Sequence, residues 1–267
     1  MEERATLAGT SQDGREIGRF WLMGGALLLT LLLGVLLAAR PADASTRIKL
    51  QCNVYATNMV DPIFFTDHQH NHIGNRTTTN QSTGESLKAA GTTSCNAPWF
   101  TSAGWFPVVR DTQQRIVPLV ARNQVVVYYR NPGDNNLQPI PTGLGIFTND
   151  FKFQGGTGTS SDRVTLTFPD CWDQKSLNPA NMVFSRQGNC PTEYSYRIPR
   201  VSFVIRYSRT VTNQFQVSAG TNAWAPFTEM HADYLAANQD VFNLELIDRC
   251  LRFGTPTIDP ACENGPG

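Results

Sequence analysis

The sequence predicts a mainly β protein: a single β-sandwich or jelly-roll-like domain with a short helix and one C-terminal helix, preceded by an N-terminal hydrophobic membrane segment. Three observations predict it. Runs of β-branched and aromatic residues bounded by Gly, Pro, Asn and Asp recur along the chain, helical periodicity is confined to two short stretches, and all six cysteines follow the apolar segment.

Residues 20–39 (FWLMGGALLLTLLLGVLLAA) carry no charge and are flanked by Arg19 and Arg40. That run is long enough to cross a hydrocarbon core of roughly 30 Å as a helix. Arg4, Arg15 and Arg19 form a positive leader, and Ala42-Asp43-Ala44 is an A-x-A pattern suited to signal peptidase. A cleaved signal and an uncleaved anchor both fit residues 1–44, and either one places the rest of the chain outside the cytoplasm. The expected plan is then a lead-in strand over 45–60, a β domain over 61–252 and a Pro/Gly-rich tail over 253–267.

Strands are expected at 124–130 (QVVVYYR), 163–168 (RVTLTF), 201–207 (VSFVIRY) and 214–217. Ser82 and Glu85 form a capping box ahead of Leu87, Ala89 and Ala90, with Gly91 placed to end that helix. Over 240–252, Val241, Leu244, Ile247 and Leu251 share one helical face and Asp240 can cap it.

The whole chain has 22 basic and 22 acidic side chains; beyond residue 44 there are 18 and 17. No Lys/Arg run appears, which argues against a nucleic-acid partner. Six cysteines in an oxidising compartment imply disulfides, and they allow fifteen pairings. Short separations favour Cys171 with Cys190 and Cys250 with Cys262, which would leave Cys52 for Cys95. No C-x-x-C pair, P-loop, Rossmann fingerprint, G-x-S-x-G or H-E-x-x-H occurs.

Of four histidines, His68, His70 and His72 fall within DHQHNH, and His231 lies in MHAD. If 66–73 is extended, those three point one way; the same alternation puts Glu229, His231 and Asp233 on one face of their segment. Two such rows are what a metal site or an acid/base pair needs. Satisfied structural histidines are the plain alternative. If the segments are neighbours, the His70 and His231 rings should lie within roughly 8 Å of each other, the reach of two side chains on one ion or one substrate atom. The Asp173 loop should then sit at the rim.

Trp105 belongs to the second of two Trp-Phe pairs in PWFTSAGWFP that can face sugar rings or pack the core, and Asp170 and Asp173 flank Cys171-Trp172 as paired carboxylates or turn formers. Asn75-Arg76-Thr77 and Asn80-Gln81-Ser82 match glycosylation acceptors.

From about Asp61 to Leu251 the chain resembles the DUF1996 family, an uncharacterised extracytoplasmic domain of fungi and bacteria. His68-Gln69-His70 followed by Gly74-Asn75 resembles the family's H-x-H-x-F-x-G-N, with His72 where an aromatic is usual. The serine-leucine helix and cysteine (Ser86, Leu87, Cys95), Trp105-Phe106-Pro107, Tyr128-Tyr129, Phe168-Pro169-Asp170-Cys171-Trp172-Asp173 and His231-Ala232-Asp233-Tyr234 follow in the family's order. One departure is that residues 178–185 carry none of the histidines usual after the C-W-D block, so a site needing them is incomplete here. The resemblance implies no established activity.

The functional expectation is an extracytoplasmic domain that acts on or binds a cell-envelope or environmental polysaccharide. Its catalytic set is His70, His231 and Asp233, with Asp233 orienting His231. Its substrate-binding set is His68, Asn75, Arg76, Trp105 and Asp173. The competing expectation is a non-catalytic surface protein that is either structural or holds a divalent transition metal on His68, His70 and His231. The membrane is a partner through the N-terminal segment.

Overall fold

The computed structural model describes residues 47–65, 67–133, 136–155, 158–237, 244–252 and 262. The hydrophobic segment 20–39, its cleavage pattern and most of the tail lie outside them. Among the described residues no helix is long and apolar enough to cross a membrane.

In chain order the strands are β1 (Arg47–Cys52), β2 (Ala56–Asn58), β3 (His70–Gly74), β4 (Ala103–Pro107), β5 (Val109–Arg110), β6 (Val125–Arg130), β7 (Gly145–Thr148), β8 (Phe151–Phe153), β9 (Ser160–Thr167), β10 (Cys171–Leu177), β11 (Ala180–Val183), β12 (Tyr196–Arg197), β13 (Arg200–Thr212), β14 (Gln216–Gly220), β15 (Ala223–Pro226) and β16 (Ala232–Leu235). The helices are α1 (Gly84–Ala90) and α2 (Leu244–Ile247). The protein is mainly β, and its strand pairs are antiparallel.

The first five-stranded sheet runs β1-β6-β13-β9-β8 and the second β2-β3-β4-β16-β7, with two three-stranded sheets, β11-β10-β12 and β15-β14-β5, at their margins. Alternation decides what each face buries. In the first sheet Ile48, Leu50, Val125, Val127, Val201, Phe203, Val164 and Leu166 all point inward and are buried. From the second sheet Ile73, Tyr234 and Ile146 enter the same core cluster. The contact is close. Phe203 packs against Gly104, where an added Cβ would stand 2.5 Å from the ring, and Tyr234 meets Phe168 and Phe203 edge to face. The Tyr129 and Tyr234 hydroxyls, 3.1 Å apart, satisfy one another inside.

Two elements differ from the sequence reading. α1 begins one residue later than expected, so its capping box is Thr83 with Ser86 rather than Ser82 with Glu85. Ser82 is engaged in the preceding turn, where its hydroxyl accepts from the Thr79 N–H. Gly91 ends the helix in the left-handed region, as expected. The C-terminal helix is α-helical only over Leu244–Ile247 and widens to a π-helix over Asp248–Arg252; 240–243 lie outside the described residues. Leu246, Ile247, Cys250 and Leu251 are all buried, and more residues per turn gather those four into a narrower arc than α geometry would.

The disulfides are Cys52–Cys95, Cys171–Cys190 and Cys250–Cys262.

Candidate functional site

The second sheet has an outer face, turned away from the main core, and the histidines stand on it. Register brings Ala56, His72, Trp105, Asp233 and Phe147 into one cross-strand row. Directly opposed residues project to the same side, and the intervening Ile73, Gly104 and Tyr234 project to the other. His70 pairs with Pro107 one row along, so it shares the outer face with His72. His68 and His231 each lie two residues before a strand member of that face. A loop over 61–65 and helix α1 cover the far part of the face, where Ile63, Leu87, Trp105 and Leu235 form a second apolar cluster. The Asp61 carboxylate fixes that loop by accepting from the Ile63 and Phe64 N–H groups at 2.9 and 3.0 Å.

The imidazoles converge. Ring centroids are 4.1 Å apart for His68 and His70, 5.1 Å for His68 and His231, and 5.8 Å for His70 and His231, inside the reach expected from sequence. His68 Nε2 and His231 Nε2 are 3.1 Å apart. His231 Nδ1 donates to the Glu229 carbonyl at 3.0 Å, so in the neutral ring Nε2 carries the lone pair and faces the cluster. One nitrogen from each of His68, His70 and His231 lies within 4.8 Å of the others.

Burial sets the protonation states. Desolvation, reinforced by the neighbouring His231, lowers His68 to about 4. His70 is driven well below the ordinary imidazole value by desolvation and then by His68, His231 and His72; the Val60 carbonyl opposes this without making a hydrogen bond of normal geometry. His231 is also lowered by desolvation. All three are therefore neutral at pH 7, the state in which imidazole binds metals.

Behind the imidazoles stand two carboxylates. Asp61, His70 and Asp233 place one ligand atom each within 4.8 Å of the others. Asp233 is fully buried, and neither carboxylate oxygen has a hydrogen-bond partner among the described residues. Desolvation and then the nearby Asp61 raise its pKa well above the ordinary value. A carboxyl in that position demands either a proton or a cation.

A cleft of about 350 Å³ opens beside the cluster, lined among others by Phe64, Phe65, His68, Ser218, Glu229 and His231. Its rim is aromatic: Phe65 is 67% exposed, and Phe64 meets Phe147 edge to face, which in turn lies 5.6 Å from His231. His70 and Asp233 do not reach the cleft wall. Of the histidines, His68 and His231 line the cleft.

The other expected site residues are distributed differently. Asp233 makes no hydrogen bond to His231; the Glu229 carbonyl orients that ring instead, because the Asp233 side chain stands one row away beside Trp105. Asn75 is buried and fully engaged: its amide donates to the Leu87 and Thr101 carbonyls, and its oxygen accepts from Thr77 and Thr92. It is a structural clamp between α1 and the segment leading into β4, with no side-chain atom left for a substrate. Arg76 is exposed away from the cleft, its Nε on the Thr93 carbonyl. Trp105 is wholly buried and stacks on His72 at 5.9 Å, so it has no face for a sugar. Asp173 is absent from the cleft lining; it is held by the Lys175 N–H and the Asn181 amide on its own hairpin.

Sequence reasoning missed Asp61, the Glu229 carbonyl and the Phe64, Phe65 and Phe147 rim. An acid seven residues before a histidine has no periodic signature, and Phe147 joins the site only through the β7–β16 register.

The model of a domain of unknown function, DUF1996, matches residues 58–163 and 148–237. No curated protein and no solved structure matches the chain.

Proposed function

Because the chain belongs to the DUF1996 family, whose function is unknown, we propose a reading built from the site itself: a divalent transition metal centre on His68, His70 and His231, at the inner end of a cleft that takes a polysaccharide of the cell envelope or surroundings. The observation that carries it is the convergence of three neutral imidazole nitrogens within 4.8 Å, with two Nε2 atoms 3.1 Å apart. Ligands about 2.0–2.1 Å from one ion at tetrahedral or right-angled positions are about 2.9–3.4 Å from each other. The carbonyl of Glu229 on His231 Nδ1 is the outer partner such a ligand needs. Asp61 and Asp233 supply negative charge behind the ion, which answers the two unpartnered oxygens of Asp233.

In this reading His68, His70 and His231 would hold the ion, which would supply Lewis-acid polarisation of a hydroxyl or water. The rim phenylalanines offer flat faces to a sugar ring. Three disulfides and the apolar segment at 20–39 support an extracytoplasmic setting. As a finer statement of the fold, we read the two facing five-stranded sheets as a β-sandwich.

The test is elemental analysis of protein purified without chelators, then titration with zinc, copper and manganese. About one equivalent in the parent protein, lost in His231→Ala with the fold intact by circular dichroism, is expected. Less than about a tenth of an equivalent with no uptake on titration overturns the metal centre. A polysaccharide panel assayed for products and for binding then decides between turnover and a non-catalytic surface role.

A further inference from the structure

We propose that the outward face of the first sheet, not the sheet that carries the histidines, is a binding face for an acidic polysaccharide. Within the regular register of that sheet every charged side chain on the outward side is a cation. Arg47, Arg130 and Arg200 are directly opposed across three neighbouring strands. Lys49 follows beside Tyr128, Lys152 stands on the far edge opposite Thr165, and Arg206 pairs with Arg163. Acids and bases are equal in number in the chain, so this is placement and not composition.

The arrangement works against the fold. Like charges directly opposed on adjacent strands repel, and an ordinary solvated sheet face interleaves the two signs. Some relief exists at the margins. Asp170 binds Arg200 at 3.0 Å, Asp162 lies 3.9 Å from Arg163, and the Arg47 and Arg130 guanidiniums lie over the Tyr128 ring at 5.5 and 4.8 Å. Yet Arg47, Lys49, Arg130 and Lys152 have no carboxylate partner among the described residues. An uncompensated field of one sign on a flat surface attracts a polyanion.

The kind of polyanion follows from what accompanies the cations. A groove of about 350 Å³ crosses this face, bringing Arg130, Lys152 and Arg200 together with the hydroxyls of Thr165, Thr167 and Ser202. Asp150 is the acid on its wall, and Phe184 closes one side with the Arg200 guanidinium 5.9 Å from its ring. Cations for carboxylates beside hydroxyls for sugar hydroxyls suit a uronate-bearing glycan. Single-stranded nucleic acid needs free aromatic platforms, whereas Tyr128 is already covered by two guanidiniums.

The experiment measures binding of the full-length chain to polygalacturonate by isothermal titration calorimetry at low and moderate salt. Neutral dextran and a single-stranded DNA oligonucleotide run alongside. The parent is expected to bind polygalacturonate, more weakly as salt rises, and not dextran. The double variant Arg130→Gln/Lys152→Gln should lose about tenfold in affinity or more, with a urea midpoint no lower than the parent's and an unchanged metal content. Arg122→Gln, an exposed cation outside the strands of this sheet, should bind like the parent. Equal or tighter binding to DNA, no binding to polygalacturonate, or full binding by the double variant each overturns the proposal.

Discussion

His72→Phe isolates the energetics of burying an imidazole on this sheet. His72 is 1% exposed, lies between Tyr55 at 6.2 Å and Trp105 at 5.9 Å, and neither ring nitrogen has a partner. It belongs to neither group of converging ligand atoms. Desolvation lowers its pKa to about 4, partly opposed by Asp61. The folded value lies below the unfolded value of about 6.5, so the unfolded chain takes up the extra proton first. This residue's contribution is therefore whole above about pH 6.5 and is lost as pH falls toward 4, at about 1.4 kcal/mol per unit and about 3 kcal/mol in all. Phenylalanine keeps the stack on Trp105 and cannot titrate. Urea unfolding in EDTA at pH 7.5, 6, 5 and 4 should give a variant-minus-parent stability difference that grows by about 3 kcal/mol across the series. The titrations of His68, His70 and His231 are common to both proteins and largely cancel. A difference that stays flat with pH would refute the account of an uncompensated buried ring.

Gly104→Ala sets a Cβ 2.5 Å from the Phe203 ring, so urea unfolding should show roughly 1–3 kcal/mol lost to overpacking, with metal content retained. For Asp233→Asn the sign is opposite to that of His72: the folded pKa is raised, so in EDTA the parent loses stability as pH climbs above about 4. The variant should lack that loss, and with metal present should bind it more weakly by calorimetry. Cys171→Ser with Cys190→Ser opens a loop of separation 19; thermal unfolding should report about 3 kcal/mol lost while elemental analysis finds the metal retained.

The strands were legible where one face is wholly apolar. Residues 124–130 and 201–207 alternate against a continuous core, and β6 and β13 lie within a residue of the expected start or run on past the expected end. The histidine cluster was legible because alternation fixes which residues share a side, whatever the partner strand. Asn75 and Trp105 misled for one reason: polar and aromatic side chains beside a site look alike in sequence whether they face solvent or close a packing layer. Asn75 spends every hydrogen bond on backbone and hydroxyls, and Trp105 lies under His72. Asp61 was hidden by a different cause. Its loop is held by its own carboxylate, a local turn with no period to detect.

How two segments some 160 residues apart make one site turns on the strand between them. β3 and β16 are not neighbours; β4 runs between, so their backbones stand two strand spacings apart, roughly 10 Å. Side chains from such strands meet only over a short residue on the middle one. Pro107 is that residue: it pairs with His70, and continuing the Asp233–Trp105 register by two places brings His231 opposite it. There the His70 and His231 rings come to 5.8 Å. One row along, Trp105 fills the same gap between His72 and Asp233 and keeps that end of the face closed. The W-F-P stretch thus divides the row of imidazoles and carboxylates in two. Over the proline the nitrogens can converge beside a cleft; over the tryptophan His72 is buried with no hydrogen-bond partner among the described residues. A small side chain and a large one, two positions apart on one strand, determine which histidines can share an ion and which can only bear the cost of burial.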